Sequence, residues 1–134
     1  MEIECKIDEL DHLNDNKRIY PRDVLERAIQ NYNEKPYKFG ELGFATTRNI
    51  ELQYISHKIN GVKLKNNNFC VNIELLDTPS GKIIKNIIKA GLNLNIKPRM
   101  IINTEKVKNG PGKYTGQEVV TEMDIISFDL IWYP

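Results

Sequence analysis

The sequence is poor in the residues that most metal and redox chemistry needs. Its 134 residues include two cysteines, two histidines and one tryptophan. Cys5 and Cys70 are far apart, neither lies in a Cys-x-x-Cys pattern, and the two histidines, His12 and His57, do not complete a convincing metal set with them. The expectation is two reduced thiols, no metal and no cofactor. Charge of one sign is also missing: 19 basic against 18 acidic residues leave a net charge of +1. Nucleic-acid and membrane-surface binders normally carry a basic excess, so neither partner is expected. Disordered chains pair low hydrophobicity with high net charge, which this one does not have. No apolar run reaches membrane-spanning length. Met1-Glu2-Ile3-Glu4-Cys5-Lys6 alternates with charge and cannot act as the apolar part of a signal peptide, so synthesis in the cytosol is expected.

What is present is enough apolar residue, 40%, for one core, and a single domain over 1–134 is expected. Ile3, Cys5 and Ile7 alternate with charges as in a strand. Pro21 suits a helix start, and Val24, Leu25, Ala28, Ile29 and Tyr32 form one apolar stripe that Asn33 and Pro36 bring to an end. Residues 50–59 read as a strand with a phase slip at Tyr54-Ile55, and Asn60-Gly61 reads as a tight turn. Phe69, Val71, Ile73 and Leu75 alternate strictly. Thr78-Pro79 opens a second helix, with Ile83, Ile84, Ile87 and Ile88 as its buried face and Gly91 as its stop. Leu92 to Ile102 reads as a strand interrupted at Lys97-Pro98, and 119–132 as a long last strand. Mostly strands with two helices fit either an open sheet or a closed barrel.

Four pieces occur in a telling order: Arg18-Ile19-Tyr20-Pro21, Gly40-Glu41-Leu42, Ile55-Ser56-His57-Lys58-Ile59, and Leu75-Leu76-Asp77-Thr78-Pro79-Ser80-Gly81-Lys82. A helix ending Lys89-Ala90-Gly91 and a terminal Phe128 to Pro134 follow. Together they resemble the prohead serine proteases of T4-like tailed phages, which mature capsids and are related in fold to the herpesvirus assemblin proteases. The resemblance covers about residues 15 to 134, and the order of the motifs carries it rather than any one piece. It implies an antiparallel β-barrel flanked by two main helices.

The resemblance also implies where catalysis would lie. In that family Gly-Glu-Leu is usually followed by Asp-His-Pro with a catalytic His; here Gly43-Phe44-Ala45 follows. The family's serine stands in a Ser-Ser-Arg-Gly-like stretch; here it reads Ile96-Lys97-Pro98-Arg99-Met100. No Ser, Thr or Cys lies between Ala90 and Ile102. Phe44, Lys97, Pro98 and Arg99 are therefore expected at former catalytic positions. Arg99 matches the family's Arg, but Pro98 removes an N–H donor before it. Relatives also usually continue past the final Pro, a third departure. His12 falls in a polar loop. His57 lies outside the family's catalytic pair, and Ser56 is expected on the opposite strand face from it. Thr78 and Ser80 are explained by capping, and Ser127 has no base near it in sequence.

A serine protease needs nucleophile, base and oxyanion donors together. The expectation is thus a non-enzyme: a catalytically inactive protein of this fold, acting as an auxiliary or decoration protein of the virion. Its partners would be the major capsid protein and other virion proteins, bound in many copies on the capsid lattice. Lys108 and Tyr114 in the loop 106–114, with Trp132 and Tyr133, are the candidate contacts. The alternatives are an active maturation protease using His57 or His12 with a serine from elsewhere, and an internal scaffold or core protein.

Overall fold

A computed structural model describes residues 2–9, 18–43, 47–65, 68–106 and 118–131. In chain order these form β1 (Glu2–Glu9), β2 (Arg18–Ile19), α1 (Arg22–Asn33), β3 (Phe39–Glu41), a 3₁₀ turn (Leu52–Tyr54), β4 (Ile55–Lys65), β5 (Asn68–Leu75), α2 (Pro79–Lys89), β6 (Asn95–Lys106) and β7 (Glu118–Ile131). The class is mixed α+β, mostly strand, as expected.

The described strands do not close into a barrel. They form a four-stranded antiparallel sheet, β1-β5-β4-β3, and a second sheet, β2-β7-β6, in which the short β2–β7 pair is parallel. Among the described residues the sheets are hydrogen-bonded to each other along one side. Leu42 bridges Leu130, and Gly43 N–H donates to the Leu130 carbonyl at 2.9 Å. On the other side β1 and β6 are the outer strands of their sheets, and among the described residues no ladder joins them. Closure needs hydrogen bonds along both seams, and among the described residues one seam lacks them.

Helix α1 follows its sequence closely. Val24, Leu25, Ala28, Ile29 and Tyr32 are its buried residues, and Pro21 stands at the cap position just before it. Ala28, Ile29 and Tyr32 pack with Ile59, Val71, Ile73, Leu75, Ile84, Ile125 and Phe128 in the main core. Tyr20, Val24, Leu25 and Val120 form a smaller one. Helix α2 begins where Thr78-Pro79 predicts, with the Thr78 hydroxyl accepting from Gly81 N–H at 3.0 Å. Its buried face is narrower than the four isoleucines imply. Ile84 is 0% exposed, Ile83 is 50% exposed, and Ile87 and Ile88 are half-buried. The helix lies against β4, β5 and the 3₁₀ turn.

Three strand readings change. Residues 52–54 form the 3₁₀ turn, leaving Leu52 83% exposed, so the phase slip at Tyr54-Ile55 marks the start of β4. Asn60-Gly61 is no turn: β4 runs through it, with a register shift between Ile59 and Gly61. The Asn33 side-chain amide donates to Val62 O at 2.8 Å and accepts from Val62 N–H at 3.1 Å, which satisfies the main chain beside that bulge. Pro98 does not interrupt β6 either. The carbonyls of Phe128 and Leu130 point away from β6, toward β4 and β3. Their cross-strand partners Pro98 and Ile96 therefore occupy non-hydrogen-bonded positions, where the missing N–H costs nothing.

Candidate functional site

Where the two sheets meet, polar side chains are buried at strand positions. Glu41, Ser56, His57, Arg99, Ser127 and Asp129 are each less than a tenth exposed. They come from β3, β4, β6 and β7 and form two adjoining clusters.

The first cluster is built on His57. Its Nε2 lies 2.6 Å from the Phe128 carbonyl, which can only accept, so Nε2 carries the ring proton. Nδ1 then accepts from the Ser56 hydroxyl at 2.8 Å. Ser56 and His57 thus are partners, contrary to the opposite-face expectation. Nδ1 sits close to its own main chain, within reach of the preceding residue's short hydroxyl around the strand. Burial pushes the imidazole below its ordinary pKa, although the Phe128 carbonyl and the charge on Asp129 pull the other way. The ring is neutral near pH 7.

Gly40 lies opposite His57 in the β3–β4 ladder. A Cβ there would come within 2.0 Å of His57 Nε2 and 2.2 Å of the Phe128 oxygen. Only glycine leaves room for a ring that reaches from β4 to β7. Gly81 is confined in the same way, since a Cβ would meet the Leu76 carbonyl at 2.0 Å and the Ser56 carbonyl at 2.8 Å.

The second cluster is centred on Arg99. Nε donates to Asp129 Oδ2 at 3.0 Å and to Ser127 Oγ at 3.1 Å. Nη2 donates to Glu41 Oε1 at 3.0 Å and Asp129 Oδ1 at 3.1 Å. Nη1 donates to the carbonyls of Thr47 and Asn49 at 3.2 and 3.1 Å. A guanidinium has five N–H donors, and this one has a partner for each. Asp129 Oδ1 also accepts from Glu41 N–H at 3.0 Å and from Ser127 Oγ–H at 2.9 Å. Burial alone would lower the Arg99 pKa, but the bonds to Asp129 and Glu41 outweigh it and hold the pKa above its usual value. Arg99 stays charged.

The candidate residues divide as follows. Arg99 is buried at the centre of the site, Lys97 is exposed and Pro98 half-buried on the same strand. Phe44, Lys108, Tyr114, Trp132, Tyr133 and His12 lie outside the described residues. Arg99 reaches both Glu41 and the carbonyls at 47 and 49, so its strand meets the chain on either side of the 44–46 segment. Glu41 and Asp129 were not anticipated, and Ser127 was set aside for want of a base near it in sequence. Their signal was available only weakly, as a carboxylate inside Gly-Glu-Leu and a Ser-x-Asp in the apolar second half of the last strand. Among the described residues no three metal-ligating side chains gather.

The comparisons give this arrangement its family. The model for prohead core protein serine protease matches residues 1–134. The chain belongs to the prohead core protein serine protease family. The solved structure of the bacteriophage T4 capsid assembly protease is similar over 98% of this chain and 81% of that one, with TM-score 0.80 and 22% sequence identity. That likeness shows the fold. No curated protein sequence matches the chain. Membership makes this a phage capsid-related protein and corrects the expectation of a non-enzyme: the family is one of serine proteases, and nothing in the structure shows inactivity. Among the described residues no helix is long and apolar enough to cross a membrane.

Proposed function

We propose that this chain acts in the assembling head of a tailed phage, as a serine endopeptidase working on prohead proteins. The observation that carries the reading is the family match over all of 1–134 together with the shared fold. Its partners are the major capsid protein and other head proteins, met inside or on the shell, where the repeated lattice makes modest contacts sufficient.

The base is one of two imidazoles, because the chain has two histidines. Ser56 and His57 already form the contact a nucleophile and base require: a hydroxyl donating to a neutral ring whose other nitrogen is held by an acceptor. Both side chains are 0% exposed, so the elements around them must part before a peptide reaches them. His12, outside the described residues, is the other choice.

The test is incubation of the folded protein with proheads of its own phage, read by mass spectrometry of the head proteins. Specific cleavage lost in His12→Ala or in His57→Gln, with the variant still folded, supports the reading and assigns the base. Head proteins left intact by folded wild type would overturn it.

A further inference from the structure

The chain leaves β3 at Glu41 and returns to β4 at Ile55, and its neck is closed by main-chain and side-chain bonds. Leu42 N–H donates to the Tyr54 carbonyl at 3.1 Å, and Glu51 N–H to Glu41 Oε1 at 3.2 Å. Gly43 N–H is held by Leu130 on β7. Arg99 ties the two flanks together from a third strand, through Glu41 on one side and the Thr47 and Asn49 carbonyls on the other. Asp129 orients the guanidinium with both oxygens and also receives Glu41 N–H. Arg48, between the two carbonyls, is anchored separately to Asp124 at 3.3 Å.

We infer that Arg99 is a positioning residue. Its single guanidinium sets where the chain exits β3 at Glu41–Gly43 and where it returns at Thr47–Glu51, both relative to β7. The geometry leaves no other described cation to do this, since Arg48 is held at the surface, more than half exposed. A lysine cannot replace it: three donors on one nitrogen cannot span two carboxylates and two carbonyls that an arginine fork reaches from separate nitrogens. As a positioning residue for catalysis, the inference rests on the endopeptidase reading above. As the determinant of where the chain leaves β3 and where it returns, it does not.

The test uses Arg99→Lys and, because a buried change can unfold the protein, the isosteric Glu41→Gln as a second variant. Amide hydrogen exchange should rise at least about tenfold at Leu42, Gly43 and Glu51 in either variant, with β5 amides unchanged. Exchange that rises equally throughout, or not at all at those three amides, would overturn the inference. On prohead substrate, Arg99→Lys should lower kcat at least about tenfold while KM stays within about twofold, the signature of misplaced machinery rather than lost binding. Cleavage by this variant at the wild-type rate would also overturn it. No cleavage by wild type sinks the endopeptidase reading alone, and the exchange result still decides whether Arg99 sets the loop.

Discussion

Helix α1 and the junction of the two sheets contain similar numbers of buried side chains and are held by different physics. In α1 the buried set is apolar and spaced by the helical period, so each residue is buried because of its own position on one element. At the junction the buried set is polar, and no member is tolerable without the others. Arg99 needs Glu41 and Asp129, His57 needs Phe128 O, and the ring needs Gly40 to be glycine. The helix can lose one contact at a time. The junction should fail as a unit, because removing one partner leaves a buried charge or donor unpaired.

Gly40→Ala sharpens that contrast most. The new methyl would overlap both ends of the His57–Phe128 hydrogen bond, so the loss should be about 3 kcal/mol or more, as for severe overpacking. Urea unfolding measures it, and a loss under about 0.5 kcal/mol would show that the ring does not occupy this gap. In α2 the prediction separates neighbours. Ile84→Ala should cost about 2–5 kcal/mol and Ile83→Ala less than about 0.5, because only Ile84 is enclosed. Equal losses would mean the helix is rotated from the position described.

The pair of isoleucines also shows what was legible in the sequence. Periodicity marked the helix and its start at Thr78, but it could not say how wide the covered face would be, because that depends on what β4 and β5 bring to it. In α1 the stripe and its depth agreed, since α1 packs broadly on β7 and β4. Asn60-Gly61 has the composition of a turn, but β4 runs through it as a bulge, with the Asn33 amide from a distant helix end holding the main chain beside it. Pro98 read as a break because the strand pattern does not reveal which side of a residue faces a neighbour. The motif order identified the family, while Glu41, Ser127 and Asp129 gained meaning only through pairing across the sheets. The expectation of a non-enzyme failed for a related reason: it weighed aligned positions singly, whereas family membership is carried by the whole chain.

A smaller effect follows from pH. His57 has its pKa lowered in the folded protein, so the neutral ring's contribution is fully present above its ordinary value near 6.5 and is lost as pH falls toward the folded value. Stability should fall by up to about 1.4 kcal/mol per pH unit in that window. His57→Gln should remove the slope; a slope unchanged in that variant would place its origin elsewhere. The smallest effect concerns Tyr32, whose buried hydroxyl has no hydrogen-bond partner among the described residues and whose ring meets Phe128 edge-on at 5.5 Å. Tyr32→Phe should be neutral or stabilising by about 1 kcal/mol, since it removes an unsatisfied group and keeps the ring. A loss above about 1 kcal/mol would reveal a partner for that hydroxyl.

The most direct test of the junction as one unit is a double-mutant cycle on Arg99 and Asp129, read by urea unfolding. Arg99→Met and Asp129→Asn should each cost about 3–5 kcal/mol, because each strands charge or donors in the interior. The double variant should cost less than the two losses added together by at least about 2 kcal/mol, the mark of residues that share one network. Losses that add within about 0.5 kcal/mol would contradict the account and make the buried charges independent neighbours.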